Sequence, residues 1–437
     1  MTGHFRLAAP ALLVAAGGLT APQAGAQTQS DVYDYIDNRL TNLESKLEGV
    51  EGGQEPWSSY VSEFGGRIMY DQTFAIDSDD SLKDGLGVDD LEEGAELRRA
   101  RFFAEGAVAP WLAYKLQIDF GDGDVSTKDA YIKAHGLGGL PSVKVGHFKE
   151  PISLEEQTSS KYISLMSRTM LTDGVISQGR NHGLMLTDHY GDDQVNVALG
   201  VFDTGQNGKS AITGRITAPV VYSNGGRQVV HLGASLSQRN VDTFELGLEP
   251  EVHKTDDFVA TRDVSDSETG VEILVDDTQV SGVELGAVLG PAHFQSEYGQ
   301  LSLSTADGTD PSVDTYYVQG GFFLTGESRP YDKADGGFGR VKPNRPFTGA
   351  NSGSGAWELV ARYSVLDAEE MAGVSAIDGD GNSTSVAAAG VAETNVTTFG
   401  LNWYPVAHAK WMLNYVNADQ DALGSASYVA TRFQVDF

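Results

Sequence analysis

The sequence predicts an all-β fold, a 16-stranded antiparallel transmembrane β-barrel with a short N-terminal helical or coiled-coil segment. Three observations predict it. From residue 61 onward apolar and polar residues alternate with period two, the spacing of a strand with one wet and one apolar face. Every second connection between these strands is short, while the others are longer and acidic, as in a barrel with turns at one rim and loops at the other. Aromatic residues gather near strand ends, among them Tyr70, Trp111, Tyr131, Tyr222, Trp403 and Trp411, where an interfacial girdle belongs.

The elements follow in order. Residues 1–26 read as a secretory signal: Arg6 is the positive end, residues 7–19 are a short alanine-rich apolar run, and Ala24, Gly25 and Ala26 form a small-residue cleavage site. Removing them takes one Arg and no acid from a chain with 30 basic and 61 acidic residues, so the mature formal charge is 29 − 61 = −32. Residues 27–55 follow as a periplasmic helical or coiled-coil segment. Tyr33, Ile36, Leu40, Leu43, Leu47 and Val50 stand at 3–4–3–4 spacing, which suits either a heptad seam or a single amphipathic helix. Gly52, Gly53 and Pro56 end it.

Residues 56–437 form the barrel domain. Tyr114, Leu116, Ile118 and Phe120 oppose Lys115, Gln117 and Asp119 most clearly, and Val429, Thr431, Phe433, Val435 and Phe437 oppose Arg432, Gln434 and Asp436 in the last strand. Strands are expected near 62–74, 96–107, 112–120, 128–134, 142–149, 182–189, 194–202, 212–219, 228–237, 279–289, 292–303, 313–324, 356–366, 393–403, 409–416 and 427–437. The connection 325–355 breaks the alternation of lengths, being long on the short-turn side. The third loop, 150–181, breaks the period for about thirty residues, and long strand-free loops of this kind are usually functional. It carries Glu150, Glu155, Glu156, Lys161 and Arg168, and the alternation of connection lengths places it at the long-loop rim.

Composition narrows the function. The acidic balance argues against a nucleic-acid partner, which needs basic patches. With no Cys there is no thiolate metal site. Gly208, Lys209 and Ser210 end like a phosphate loop, but Asp203 stands where its first Gly belongs. Asp378, Asp380 and Asn382 begin like a calcium loop, but Ser383 and Ala389 replace its Gly and Glu. No nucleophile–base pair is legible, so no catalytic residue, cofactor or metal site is expected and the chain reads as a non-enzyme.

Several stretches resemble the phosphate-selective porins of the O/P type, a family of bacterial outer-membrane porins. They include LRRARFFAEG at 97–106, YKLQIDF at 114–120, KVGHFKEPISLEEQTSSKYISLMSR at 144–168, YYVQGGFFLTGESR at 316–329, GAWELVARYS at 355–364 and FGLNWYP at 399–405. The resemblance implies a homotrimeric barrel in the outer-membrane lipid, with one pore per subunit and the third loop, 150–181, folded into the lumen to set what passes. It implies a basic lumen in which Arg98, Arg99, Lys115, Lys161 and Arg168 line the path, with Asp129 as a carboxylate near the constriction. Two departures matter. Glu156 stands where the phosphate-selective members have a Lys, and residues 241–253 (VDTFELGLEPEVH) lack the family's arginine ladder.

The expected function is passive diffusion of small ions or polar solutes, phosphate-like anions among them, with phosphate specificity doubtful. The alternative is a mainly structural envelope protein that makes contacts through its coil segment and acidic loops. Selectivity follows the sign of charge at the narrowest point. Arg99 and Arg101 share a strand face and would form a basic belt there with Arg98 and Lys115. Glu156 is either a pore charge opposing that belt or a structural partner of Lys161 or Arg168.

Overall fold

A computed structural model describes residues 63–437, apart from 192–193, 262–270, 306, 350–351 and 379–380. The expected signal and coil segments, and Asp380, lie outside the described residues. Sixteen long strands follow one another in chain order: β1 (Glu63–Ser78), β2 (Gly94–Ala109), β3 (Leu112–Asp119), β4 (Ser126–Ala134), β5 (Ser142–Lys149), β6 (Arg180–Tyr190), β7 (Val195–Asp203) and β8 (Ser210–Ser223). The other eight are β9 (Gln228–Asn240), β10 (Val271–Leu289), β11 (Ala292–Thr305), β12 (Ser312–Phe323), β13 (Ala356–Asp367), β14 (Thr394–Val406), β15 (Ala409–Gln420) and β16 (Gly424–Asp436). Each pairs antiparallel with its neighbours, and β1 pairs with β16 (Met69 opposite Gln434), which closes the sheet and removes its edges.

The alternation seen in the sequence has a definite sense. Apolar side chains point outward and stay exposed, such as Ile68, Phe102, Leu199, Leu236 and Phe399. Buried inward positions are polar or charged, such as Arg99, Arg101, Glu284, Glu358, Arg362 and Arg432. A soluble sandwich does the reverse; apolar-out with polar-in suits a wall standing in lipid.

All sixteen expected strands are present, and most run further than the pattern indicated at the long-loop rim. β10 is the extreme, 19 residues long. Its first part pairs with loop residues Thr243–Phe244 and 376–378 rather than with the wall alone. Those loops, residues 79–93 and residues 150–179 share one apolar core over this rim, in which Leu82, Leu248, Phe258, Met371 and Val391 meet Met170 and Leu171. That core explains why the acidic loops hold a shape.

The connection after β12 folds back inside. Tyr331 and Phe338 pack with Leu154, Val229 and Val288, and Phe338 N donates to Thr158 Oγ1 at 3.2 Å. Arg329 is 2% exposed, stacks 3.7 Å from the Phe338 ring and donates to Gln295 at 3.0 Å. A second segment therefore enters the lumen from the short-turn rim and supports the third loop from below.

Candidate functional site: the pore loop and the wall it leaves open

The third loop leaves β5 at Glu150 and turns inward at Pro151. Ser153, at a positive φ of 63°, starts a single helical turn, Leu154–Gln157, and its Oγ accepts from Glu156 N at 3.1 Å. A non-glycine residue there costs about 1–3 kcal/mol and persists only where its surroundings fix it. Glu297 of β11 does so: its two carboxylate oxygens accept from Leu154 N at 2.8 Å and Glu155 N at 2.9 Å. Two wall glycines admit the loop closely. A Cβ on Gly299 would lie 2.4 Å from Ile176, and one on Gly400 2.7 Å from Leu165.

The loop is fastened to one side of the barrel. Arg239 of β9 donates to both oxygens of Glu150 at 3.0 and 2.8 Å. Arg362 of β13 reaches Glu155 at 3.4 Å, while its other nitrogen lies 2.6 Å from Glu251. Lys410 donates to Ile163 O at 2.7 Å and Asn402 to Ser164 O at 2.6 Å. Arg432 donates to Met166 O at 2.6 Å and holds Asp71 with its other nitrogens at 2.7 and 2.5 Å. Two of the loop's acids, Glu150 and Glu155, thus end on wall arginines.

Glu156, the residue that departs from the family pattern, is also enclosed, being 5% exposed. It lies 3.0 Å from Lys149 and 3.2 Å from Arg168. Burial alone would raise its carboxyl, but the charges of Arg168 and Lys149 outweigh that and hold it at about 2. Of the two partners weighed in the sequence, Arg168 is in contact; the second is Lys149, one residue before the loop, and not Lys161.

The opposite side of the lumen is open. A cavity of about 570 Å³ lies between the loop and β1–β6. Ten of its lining side chains are basic and four are acidic (Glu63, Glu105, Asp129 and Asp335), a formal balance of 10 − 4 = +6. Arg99, Arg101, Lys115, Asp129, Lys161 and Arg168 all lie on it. Arg101 pairs with Asp119 at 2.6 Å, Lys115 with Glu105 at 2.6 Å and Asp129 with Arg180 at 2.8 Å. Lys161 is 4.0 Å from Asp436; burial, then the Arg67 guanidinium, lowers it to about 8.

Arg98 takes a different place. Strict alternation would turn it out to lipid with Ala100 and Phe102. Instead the β1–β2 register shifts: Met69 faces Arg99 but Asp71 faces Glu96, so Leu97 and Arg98 together oppose Tyr70. This bulge turns Arg98 inward, as bulges re-aim side chains beside functional sites. Arg98 donates to His253 Nε2 at 2.6 Å, and His253 Nδ1 lies 2.6 Å from Glu249. Burial, then the Arg98 charge, lowers His253 to about 3, so the neutral ring accepts from Arg98 and donates to Glu249. Burial pushes Glu249 up to about 7. These residues line a second cavity, of about 410 Å³, on the long-loop side, with Asp173, Glu251 and Asp257. Arg168 borders both cavities.

Sequence reasoning missed Arg67, Lys144, Lys149, Arg180 and Arg340 on the open wall, and Arg239, Arg362 and Arg432 on the fastened one. Arg67, Lys144, Arg239, Arg362 and Arg432 sit at an inward phase of their strands, so phase plus positive charge was an available signal for them. Lys149 and Arg180, at strand ends beside the loop, and Arg340, outside any strand, gave no such signal.

A closed barrel with an apolar exterior, a charged interior and a loop folded across its waist defines a channel of the bacterial outer membrane. The model for the family described as phosphate-selective porin O and P matches residues 69–437, and the chain belongs to that family. It is 27% identical over 366 residues to an uncharacterized protein of Caulobacter vibrioides, covering 80% of this chain and 67% of that one. It is 25% identical over 363 residues to Porin O of Pseudomonas aeruginosa, covering 76% and 78%. Among solved structures it resembles an anion-selective porin from Comamonas acidovorans, with a TM-score of 0.54, 11% identity, and coverage of 86% of this chain and all of that one. The protein is an outer-membrane porin.

Proposed function

We propose that this porin passes small solutes by diffusion and favours anions over cations, without a strong phosphate site. The observation that carries this reading is the basic excess on the open cavity, +6 over its lining and still 10 − 7 = +3 once Asp119, Glu156 and Asp436, which pair with lining cations, are counted, in a chain whose formal charge is −31. A unit charge about 6 Å from a passing ion is worth roughly 3 kcal/mol at an effective dielectric near 20, so a locally basic waist outweighs distant acidic loops that salt screens. Glu156 counts against a tight phosphate site, because it takes up charge that Lys149 and Arg168 would otherwise offer an oxyanion.

In the proposed arrangement residues 1–26 are removed as a signal, residues 27–55 stand in the periplasm, and three copies assemble in the lipid. No chemical step on the solute is involved. A trimer is supported by the family and by the wall itself. β3 and β5 have 8 residues each, short of the about 9–11 that a lipid-facing span requires, so this side suits a protein neighbour.

Reversal potentials of the purified protein in a potassium chloride gradient test the reading. The expected sign is that of chloride preference, and inorganic phosphate at micromolar concentration should leave the current unchanged. Cation preference would overturn the selectivity, and micromolar phosphate block would overturn the absence of a tight site.

A further inference from the structure

The open cavity holds aromatic rings among its charges. Phe103, Tyr131 and Tyr162 line it together with the cations. Lys115 lies 5.1 Å from the centre of the Phe103 ring, Lys161 5.4 Å from that of Tyr162, and Lys144 4.7 Å from that of Tyr131. We propose that this waist binds organic anions with a flat apolar body, aromatic carboxylates in particular, in preference to inorganic anions. The proposal rests on the anion-favouring reading above and names the solute class of that same site.

Two further observations point to a ligand. Arg67 and Arg99 line the cavity, each 7% exposed, and no carboxylate among the described residues lies within ion-pair distance of either. Arg67 donates to Ser160 Oγ at 2.7 Å, and Arg99 Nη1 reaches only the Met69 sulfur at 3.8 Å, with its Nε buried and unpartnered. Buried cations of this kind are costly without a counter-charge, and a solute carboxylate supplies one.

The rest of the site decides what the carboxylate should be attached to. An inorganic oxyanion entering here gives up water against rings that return no hydrogen bond. An aromatic acid places only its carboxylate at the arginines and lays its ring against Phe103 or Tyr162, which gains burial and ring contacts. Lysines held over ring faces can pair with the carboxylate without leaving the ring. The volume agrees: about 570 Å³ falls among small-molecule sites of about 300–1,000 Å³.

The test uses the full-length protein in planar bilayers bathed in potassium chloride, with benzoate, acetate or inorganic phosphate added at matched pH and ionic strength. Benzoate should halve the chloride current at about a tenfold lower concentration than acetate or phosphate. Equal potency of benzoate and acetate overturns the proposal, as does phosphate acting as the strongest blocker. Phe103→Leu and Tyr162→Leu keep apolar bulk while removing a ring. Each should shrink the benzoate advantage severalfold, and an advantage unchanged in both would remove the rings from the site. A conducting, anion-selective channel indifferent to benzoate would sink this inference alone. A channel without anion preference would sink the underlying reading with it.

Discussion

On the side of the lumen built by β9–β16, Arg239, Arg362, Arg432 and Lys410 each reach a carboxylate or carbonyl of the third loop. On the side built by β1–β6, Arg67 and Arg99 meet no carboxylate, and Lys144 lies over the Tyr131 ring. Residue types are alike on the two sides, and their partners are not. Where the loop offers carboxylates or backbone carbonyls to them, the wall cations are engaged in place and act as fasteners. Where the loop supplies Ser159, Ser160 and Lys161, the wall charge is left facing the cavity. The sequence of one loop thus divides a ring of similar cations into a structural arc and a conducting arc.

Breaking a fastener should have the largest effect. Arg239→Leu leaves Glu150, which is 1% exposed, with Thr213 and Asn181 as its remaining side-chain donors. Losing one partner of a buried pair costs about 3–5 kcal/mol. The denaturant midpoint of the folded barrel should fall accordingly, and a shift under about 1 kcal/mol, the range of exposed pairs, would place this bridge among those.

Moving a charge between the arcs should have an intermediate effect. Glu156→Gln frees Lys149 and Arg168 from their shared counter-charge, so anion preference in reversal-potential measurements should rise. Its pKa, held at about 2 in place of 4.5, makes Glu156 stabilising above pH 4.5, and that contribution is lost as pH falls through about 2. The variant should therefore be less stable than the parent at pH 7 and converge with it in strong acid. An unchanged reversal potential would confine Glu156 to a structural role.

The smallest effect concerns one ammonium. Lys161 titrates near 8, so its charge is present at pH 6 and gone by pH 10. Anion preference should decline across that interval, and Lys161→Met should flatten the decline. The same slope in the variant would assign the titration to another group.

Much of this was legible in the sequence. Period-two alternation located all sixteen strands, because lipid on one side and water on the other impose opposite demands on successive residues. The inward fold of the third loop came with the family resemblance. The bulge at Leu97 and Arg98 was not read, although it could have been: an Arg in the lipid-facing phase costs about 2–4 kcal/mol near the midplane, so consecutive arginines in a spanning strand require a break in register. The fastening of Glu150 and Glu155 was hidden for another reason. Arg239 and Arg362 lie 89 and 207 positions away along the chain, and only closure of the barrel brings them near. The segment after β12 showed only an anomalous length; its Tyr331 and Phe338 find an apolar setting that a periodic pattern cannot foretell.

Arg432 carries a consequence for assembly. Its guanidinium joins β16 to Asp71 of β1 across the closing seam, 361 positions apart, while also holding Met166 of the loop. Joining the first strand to the last is the longest-range step of the fold, and such steps are slow because chain entropy must be lost before contacts are gained. One side chain therefore makes the finished waist contingent on a shut cylinder. A barrel still open at the seam would lack the Asp71 half of this link, so closure of the cylinder and the final seating of the loop are coupled through one guanidinium.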